Sequence, residues 1–282
     1  MRWTPGGDSG DVEDRRSEGG GGGGIRIGIG GLIVLGILSV IFRTDLISPF
    51  LGGTTSAPTE SVPDPQRDAA EKPAADFVNF VAKDTNDVWQ KAMQQQGLQY
   101  PRTKVVLFRD VINSACGSAQ SATGPFYCPS DQKVYIDLGF YDDLKRRFGA
   151  PGEFAEAYVL AHEVGHHIQN ITGIERKVRA LQQRNPGMQN QLSVRMELQA
   201  DCLAGIWGRT TEQRNILEEG EAEQAITAAS AIGDDRLQKQ ATGHVSPDSF
   251  THGTSAQRVE WFKRGFQADN IQACDTFEGQ LR

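Results

Sequence analysis

Residues 162–166 read His-Glu-Val-Gly-His. On a helix turning about 100° per residue, the two histidines fall about 40° apart and one turn from each other, so both imidazoles can reach one cation. Imidazole suits Zn²⁺ at about 2.0–2.1 Å. Glu163 is displaced too far round the helix to be a ligand beside them. It can reach a water in an open position on the metal. Zinc lowers the pKa of such a water to about 7, and an adjacent carboxylate takes the proton. The chemistry of this spacing is metal-assisted hydrolysis with Glu163 as general base. The sequence holds five histidines in 282 residues, so two at this spacing around a glutamate make a poor chance event. His167 lies about 140° from His162 and cannot share the metal; it reads as a packing or supporting residue.

A catalytic zinc takes three protein ligands and keeps an open position. Residues 197–202 read Glu-Leu-Gln-Ala-Asp-Cys. Glu197 and Asp201 are i and i+4 on a helix otherwise rich in apolar residues. Carboxylates in such company need partners. One can bind the metal, and the other can accept the free N–H of a ligating histidine and fix its tautomer. Cys202 points about 140° from Glu197 and suits a disulfide better. Residues 251–258, Thr-His-Gly-Thr-Ser-Ala-Gln-Arg, supply His252 as a donor to a tetrahedral oxyanion. Thr254 or Ser255 can cap the next helix. Arg258 can anchor Glu197, Asp201 or a substrate carbonyl.

The elements that must position these groups lie in the last three quarters of the chain. Helices are expected over 77–95, 138–148, 153–172, 174–184, 189–209, 212–232 and 255–266, and short strands over 104–108 and 134–137. A loop bracketed by Cys116 and Cys128 joins the strands. This is an α+β domain, predominantly helical, over 76–282. Residues 1–24, polar and ending in six glycines, are expected to be disordered. Residues 25–42 (IRIGIGGLIVLGILSVIF) carry one charge, Arg26, and are long enough for a transmembrane helix. The acidic residues before it and the lack of a cleavage site after it argue for an uncleaved anchor. Residues 43–75, with five prolines, read as a linker.

Arg15, Arg16 and Arg26 precede the apolar run, with Arg43 alone close behind it, so the expected orientation is N-terminus inside the cytoplasm. The folded domain is then periplasmic or extracellular. The lipid bilayer is its partner through 25–42. Four cysteines, none in a C-x-x-C pair, fit two disulfides in that compartment. Of the three possible pairings, Cys116–Cys128 with Cys202–Cys274 is preferred because the first closes a short loop. The net charge of -7 and pI near 5.3 give no reason to bind nucleic acid. The Lys145-Arg146-Arg147 cluster reads as a solvated helix end.

Taken together, the motifs at 162–167, 197–202 and 251–258, with the glycine-rich head, the single anchor and the stretch at 124–138, resemble the neutral zinc metallopeptidase family of bacteria. A more distant likeness is to membrane gluzincins of the HtpX and CAAX-protease type, from which this chain departs at Gly253, where that group has proline, and in its single membrane segment. The resemblance implies a zincin-like fold, one Zn²⁺ per chain, Glu197 as the third ligand beside His162 and His166, and His252 near a peptide or protein substrate. Zincins bind substrate backbone by strand addition, with Val134, Tyr135, Ile136 and Asp137 the expected strand. Two other readings stand beside peptide hydrolysis. One is a membrane-tethered, zinc-stabilised scaffold without turnover, and the other a metal-dependent amidase acting on cell-wall peptide. Glu163 argues against the first, since a structural site needs no base.

Overall fold

A computed structural model describes residues 1–18, 64–278 and 281. The expected anchor at 25–42 lies outside the described residues. Among those described, no helix is long and apolar enough to cross a membrane.

The architecture is α+β and predominantly helical. A four-stranded sheet has the order β1-β2-β6-β5. Its strands are β1 (Val12–Asp14), β2 (Lys104–Phe108), β5 (Phe126–Cys128) and β6 (Lys133–Asp137). The first three in spatial order are parallel and β5 is antiparallel to β6. A hairpin, β3 (Val111–Ser114) and β4 (Gly117–Gln120), lies between β2 and β5 in the chain. In β2, Val105 through Phe108 are all buried. The run does not alternate because both faces are covered. Val105 and Leu107 join the helical core, while Val106 and Phe108 pack with Ile112 of the hairpin, Tyr135 and Cys128.

Among the described residues the helices are α1 (Pro65–Gln95), α2 (Gly139–Arg146), α3 (Glu153–Ile171), α4 (Ile174–Arg184), α5 (Gln189–Gln213), α6 (Ala222–Ala231), α7 (Asp234–Thr242) and α8 (Ser255–Gln267). Helix α3 is central and packs on α1, α5 and α6. From Ala157 to Gly165 every residue of it is buried, because neighbours cover every face. At Gly165 a Cβ would stand 3.0 Å from Ala200 Cα, so this glycine sets how closely α3 meets α5. At Gly265 a Cβ would overlap the Cys202 carbonyl, so α8 lies directly on α5. Both predicted disulfides are formed, Cys116–Cys128 and Cys202–Cys274.

Several expectations change. Residues 1–18 are not disordered: β1 adds a parallel strand to β2, and Trp3 packs its ring on Phe77 and Phe80, with centroids at 5.2 and 5.8 Å. The composition of this segment supports no core of its own, but it needs none when it completes another's. The linker ends early, because α1 begins at Pro65 with Asp64 accepting the Arg67 N–H at 3.0 Å. Proline is at ease in the first helical turn. The helix also runs through Pro73, where Glu71 is held by Arg16, Arg67 and Arg109. The helix expected over 212–232 is broken at 214–221, where Asn215 has φ 57° and Gly220 φ 85°. The strand Val134–Asp137 has β2 along one edge and β5 along the other at Val134 and Tyr135, so it is an inner strand and not the outer one expected to take a substrate strand.

Candidate metal centre and active-site cleft

Helix α3 carries His162, Glu163 and His166, and α5 carries Glu197 and Asp201. The close contact at Gly165 brings the two helices face to face. His162 Nε2 lies 3.1 Å from Glu197 Oε2, and His166 Nε2 lies 3.5 Å from Glu197 Oε1. One donor atom from each of the three lies within 4.8 Å of the others, a set that could hold a metal ion. The imidazoles meet edge to face with centroids 4.9 Å apart. Two imidazole nitrogens and a carboxylate oxygen form the donor set of an open zinc site.

The opposite ring nitrogens are both engaged. His162 Nδ1–H donates to Asp201 Oδ1 at 2.8 Å, leaving Nε2 as the free lone pair. His166 Nδ1–H donates to Gln169 Oε1 at 2.8 Å. The Gln169 amide nitrogen in turn donates to the Met196 carbonyl at 2.7 Å and to Gln199 Oε1 at 3.1 Å. Each histidine is thus held in the tautomer that points Nε2 at Glu197. The arrangement answers the question left open between the two carboxylates: Glu197 faces both histidines, and Asp201 lies behind His162.

Asp201 is fully buried. It also accepts from Tyr158 Oη at 2.6 Å and from Arg258 Nε and Nη2 at 2.8 and 2.9 Å. Burial alone would raise its pKa, but Arg258 and His162 outweigh that and hold it at about 2. Burial likewise works against charge on Glu197, and His166 and His162 outweigh it to keep the carboxylate well below its usual range. Glu163 differs. Burial dominates there and its pKa is raised, with His166 and His162 only partly offsetting. It is the one carboxylate here tuned toward accepting a proton.

His162, Glu163, His166 and Glu197 line a cleft of about 630 Å³. Phe140, Phe148 and Val159 line it as well, and so do Glu175 and Arg179. His252 lines the cleft too, on a loop organised by Asp234 at the start of α7. Asp234 accepts the backbone N–H of Thr251, His252 and Gly253 at 2.7, 2.6 and 3.0 Å, and His252 Nδ1 lies 3.2 Å from it. The His252 side chain is half-exposed; partial desolvation opposes its charge, but Asp234 and then Glu197 raise its pKa above the usual value.

Of the sequence-predicted residues, His162, Glu163, His166, Glu197, His252 and Arg258 line one cleft, with Asp201 directly behind. Arg258 contacts Asp201 rather than Glu197, and Thr254 rather than Ser255 caps α8, in a capping box with Gln257. His167 turns away, to the Pro101 carbonyl at 2.7 Å and Tyr127 Oη at 3.0 Å. Sequence reasoning missed Tyr158, Gln169 and Asp234. Gln169 was within reach, since it stands three residues after His166 on the same helix. Asp234 is adjacent only through the fold.

Three converging donors with a buried glutamate beside them match the donor set that metal-dependent hydrolytic centres use. The chain belongs to the family described as "Putative neutral zinc metallopeptidase", whose pattern matches residues 1–277. Similar proteins include the uncharacterized protein YpfJ of Escherichia coli strain K12, 49% identical over 288 residues, covering 98% of this chain and 99% of that one. The uncharacterized protein Mb2605 of Mycobacterium bovis is 42% identical over 189 residues, 63% of each chain. No solved structure matches the chain.

Proposed function

We propose that this protein is a gluzincin-type zinc endopeptidase that hydrolyses peptide bonds, with His162, His166 and Glu197 as ligands and Glu163 as general base. The observation that carries the reading is the convergence of those three donors beside a buried glutamate of raised pKa, in a cleft large enough for a peptide. Zinc, when bound, supplies a Lewis acid that polarises the scissile carbonyl and acidifies water. Glu163 takes the proton from the attacking water and passes it to the leaving amine. His252, held by Asp234, donates to the oxyanion. Asp201 and Gln169 keep His162 and His166 oriented as ligands.

Substrate backbone adds to β5 in place of the expected β6. Strand β5 is the sheet's outer strand on the cleft side, and its Phe126 and Tyr127 line the cleft. Its outer edge carries no strand among the described residues, and antiparallel addition there supplies main-chain hydrogen bonds. The two disulfides support a site of action in an oxidising compartment, outside the cytoplasm. A lipid bilayer contacted through 25–42 is the proposed attachment.

The test uses the full chain, since residues 1–18 belong to the fold. Bound metal and cleavage of a diverse peptide library are measured for wild type and Glu163→Gln. One zinc per chain in both, with cleavage lost only in the variant, is expected. Cleavage retained by Glu163→Gln overturns the mechanism. Zinc in both with no cleavage in either favours a zinc-stabilised scaffold.

A further inference from the structure

The head of the chain and the catalytic domain are one folded body, although the apolar run 25–42 lies between them in sequence. Strand β1 pairs in register with β2, Val12 with Val105 and Asp14 with Leu107. The Asp11 carbonyl accepts from Val105 N–H at 2.8 Å, and Arg15 N–H donates to the Leu107 carbonyl at 2.9 Å. Side chains add to this. Glu13 meets Lys133 at 2.9 Å, buried Asp11 meets Arg102, and Trp3 Nε1 donates to Glu153 at 3.1 Å, at the first residue of α3. Arg16 Nη1 lies 2.9 Å from Glu71. Residues 16 and 71 are therefore in contact, so the described residues on either side of 19–63 meet at one place on the domain.

This conflicts with a single crossing. One pass of 25–42 would put residues 1–18 and 64–282 on opposite sides of a bilayer. Residues 43–63 cannot supply a return pass, since they contain Arg43, Asp45, Glu60 and three prolines in 21 positions, and a span needs about 20 predominantly apolar residues. The arginines that pointed to a cytoplasmic N-terminus have another use. Arg15 pairs with Glu13, and Arg16 with Asp14 and Glu71, so they are spent within the fold.

We infer that residues 1–18 share the compartment of the catalytic domain, and that the protein is attached to its membrane by a segment whose two ends lie on the same face, at the β1 edge of the sheet. The inference rests on reading 25–42 as a membrane segment. It does not depend on catalysis. The attachment edge and the cleft edge are opposite edges of one sheet, β1 against β5. Three strand spacings, about 14 Å, separate them.

The test is thiol labelling of the full chain in intact bacterial cells. The four native cysteines are in disulfides and give no background. Gly6→Cys reports the head and Gly187→Cys the domain; a Cβ at either meets nothing within 4 Å. With the outer membrane permeabilised, a membrane-impermeant maleimide is expected to label both positions equally. Labelling of Gly187→Cys with Gly6→Cys protected until the inner membrane is broken overturns the inference and restores a single crossing. Equal protection of both keeps the shared compartment and refutes export. Recovery of the protein in the soluble fraction, without detergent, overturns membrane attachment and the inference with it.

Discussion

Asp201→Ala separates fold stability from metal binding. The carboxylate holds Tyr158, His162 and both Arg258 nitrogens at 2.6–2.9 Å. The Arg258 side chain is only 2% exposed, so truncation strands a buried cation, at a cost of about 3–5 kcal/mol. That is a large share of the roughly 5–15 kcal/mol that holds a domain together. Linkage gives a smaller figure. A pKa held at about 2 against an ordinary value of 3.8 corresponds to about 2 kcal/mol, present above pH 4 and lost as pH falls toward 2. The truncation figure is larger because it includes the stranded guanidinium. The same change frees the His162 ring, which should weaken zinc binding about 10–100-fold. The double variant Asp201→Leu/Arg258→Met removes the charge pair together and should recover most of the stability, while zinc affinity stays low. Urea unfolding of chelated protein and zinc competition against a chromophoric chelator measure the two quantities separately. Zinc affinity within about threefold of wild type in Asp201→Ala refutes the claim that this residue orients His162. A stability loss under about 1 kcal/mol refutes the buried pair.

Further outcomes follow from other parts of the structure. Asp234→Ala frees three backbone N–H groups and His252, so turnover should fall about 100-fold with zinc content unchanged; loss of metal would show a structural role instead. Glu156 has a pKa raised from 4.5 to about 7, by burial first and then by Glu153. Stability is therefore lost as pH rises from about 4.5 to about 7, and the cost is constant above that. Glu156→Gln should gain on the order of 1–2 kcal/mol at pH 8 after allowing for partial exposure, with no gain at pH 4; equal gains at both pH values in urea titrations would exclude this account. Replacing Cys202 and Cys274 by alanine opens a loop of 72 residues and should cost about 4 kcal/mol, read as a shift in the urea midpoint. Trp3→Ala should cost about 2–3 kcal/mol; a neutral result would detach the head from the fold.

The sequence by itself placed the candidate metal donors. A helix period of 3.6 places His162 and His166 on one face whatever surrounds them, and the same rule pairs Glu197 with Asp201. It also determined the helix boundaries around the site, because Gly149, Gly152 and Gly173 punctuate the chain and apolar runs demand burial. The Cys116–Cys128 pair was preferred from its short loop, with Cys202–Cys274 as the remainder. Only the tertiary structure decided which carboxylate faces the histidines, since i and i+4 positions are equivalent until α3 docks on α5 at Gly165 and Ala200. Asp234 was illegible because its role depends on a loop some 18 residues away in sequence folding back over it. The edge strand was misassigned for the same reason: β5 and β6 have similar local propensity, and an edge is a property of the sheet. The head was the largest surprise. Its few apolar residues cannot form a core, and composition has no way to show that Trp3 and Val12 are completed by Phe77 and Val105, which lie across an apolar segment. Local periodicity travels with the residues themselves, whereas pairing across 90 positions exists only once the chain has collapsed.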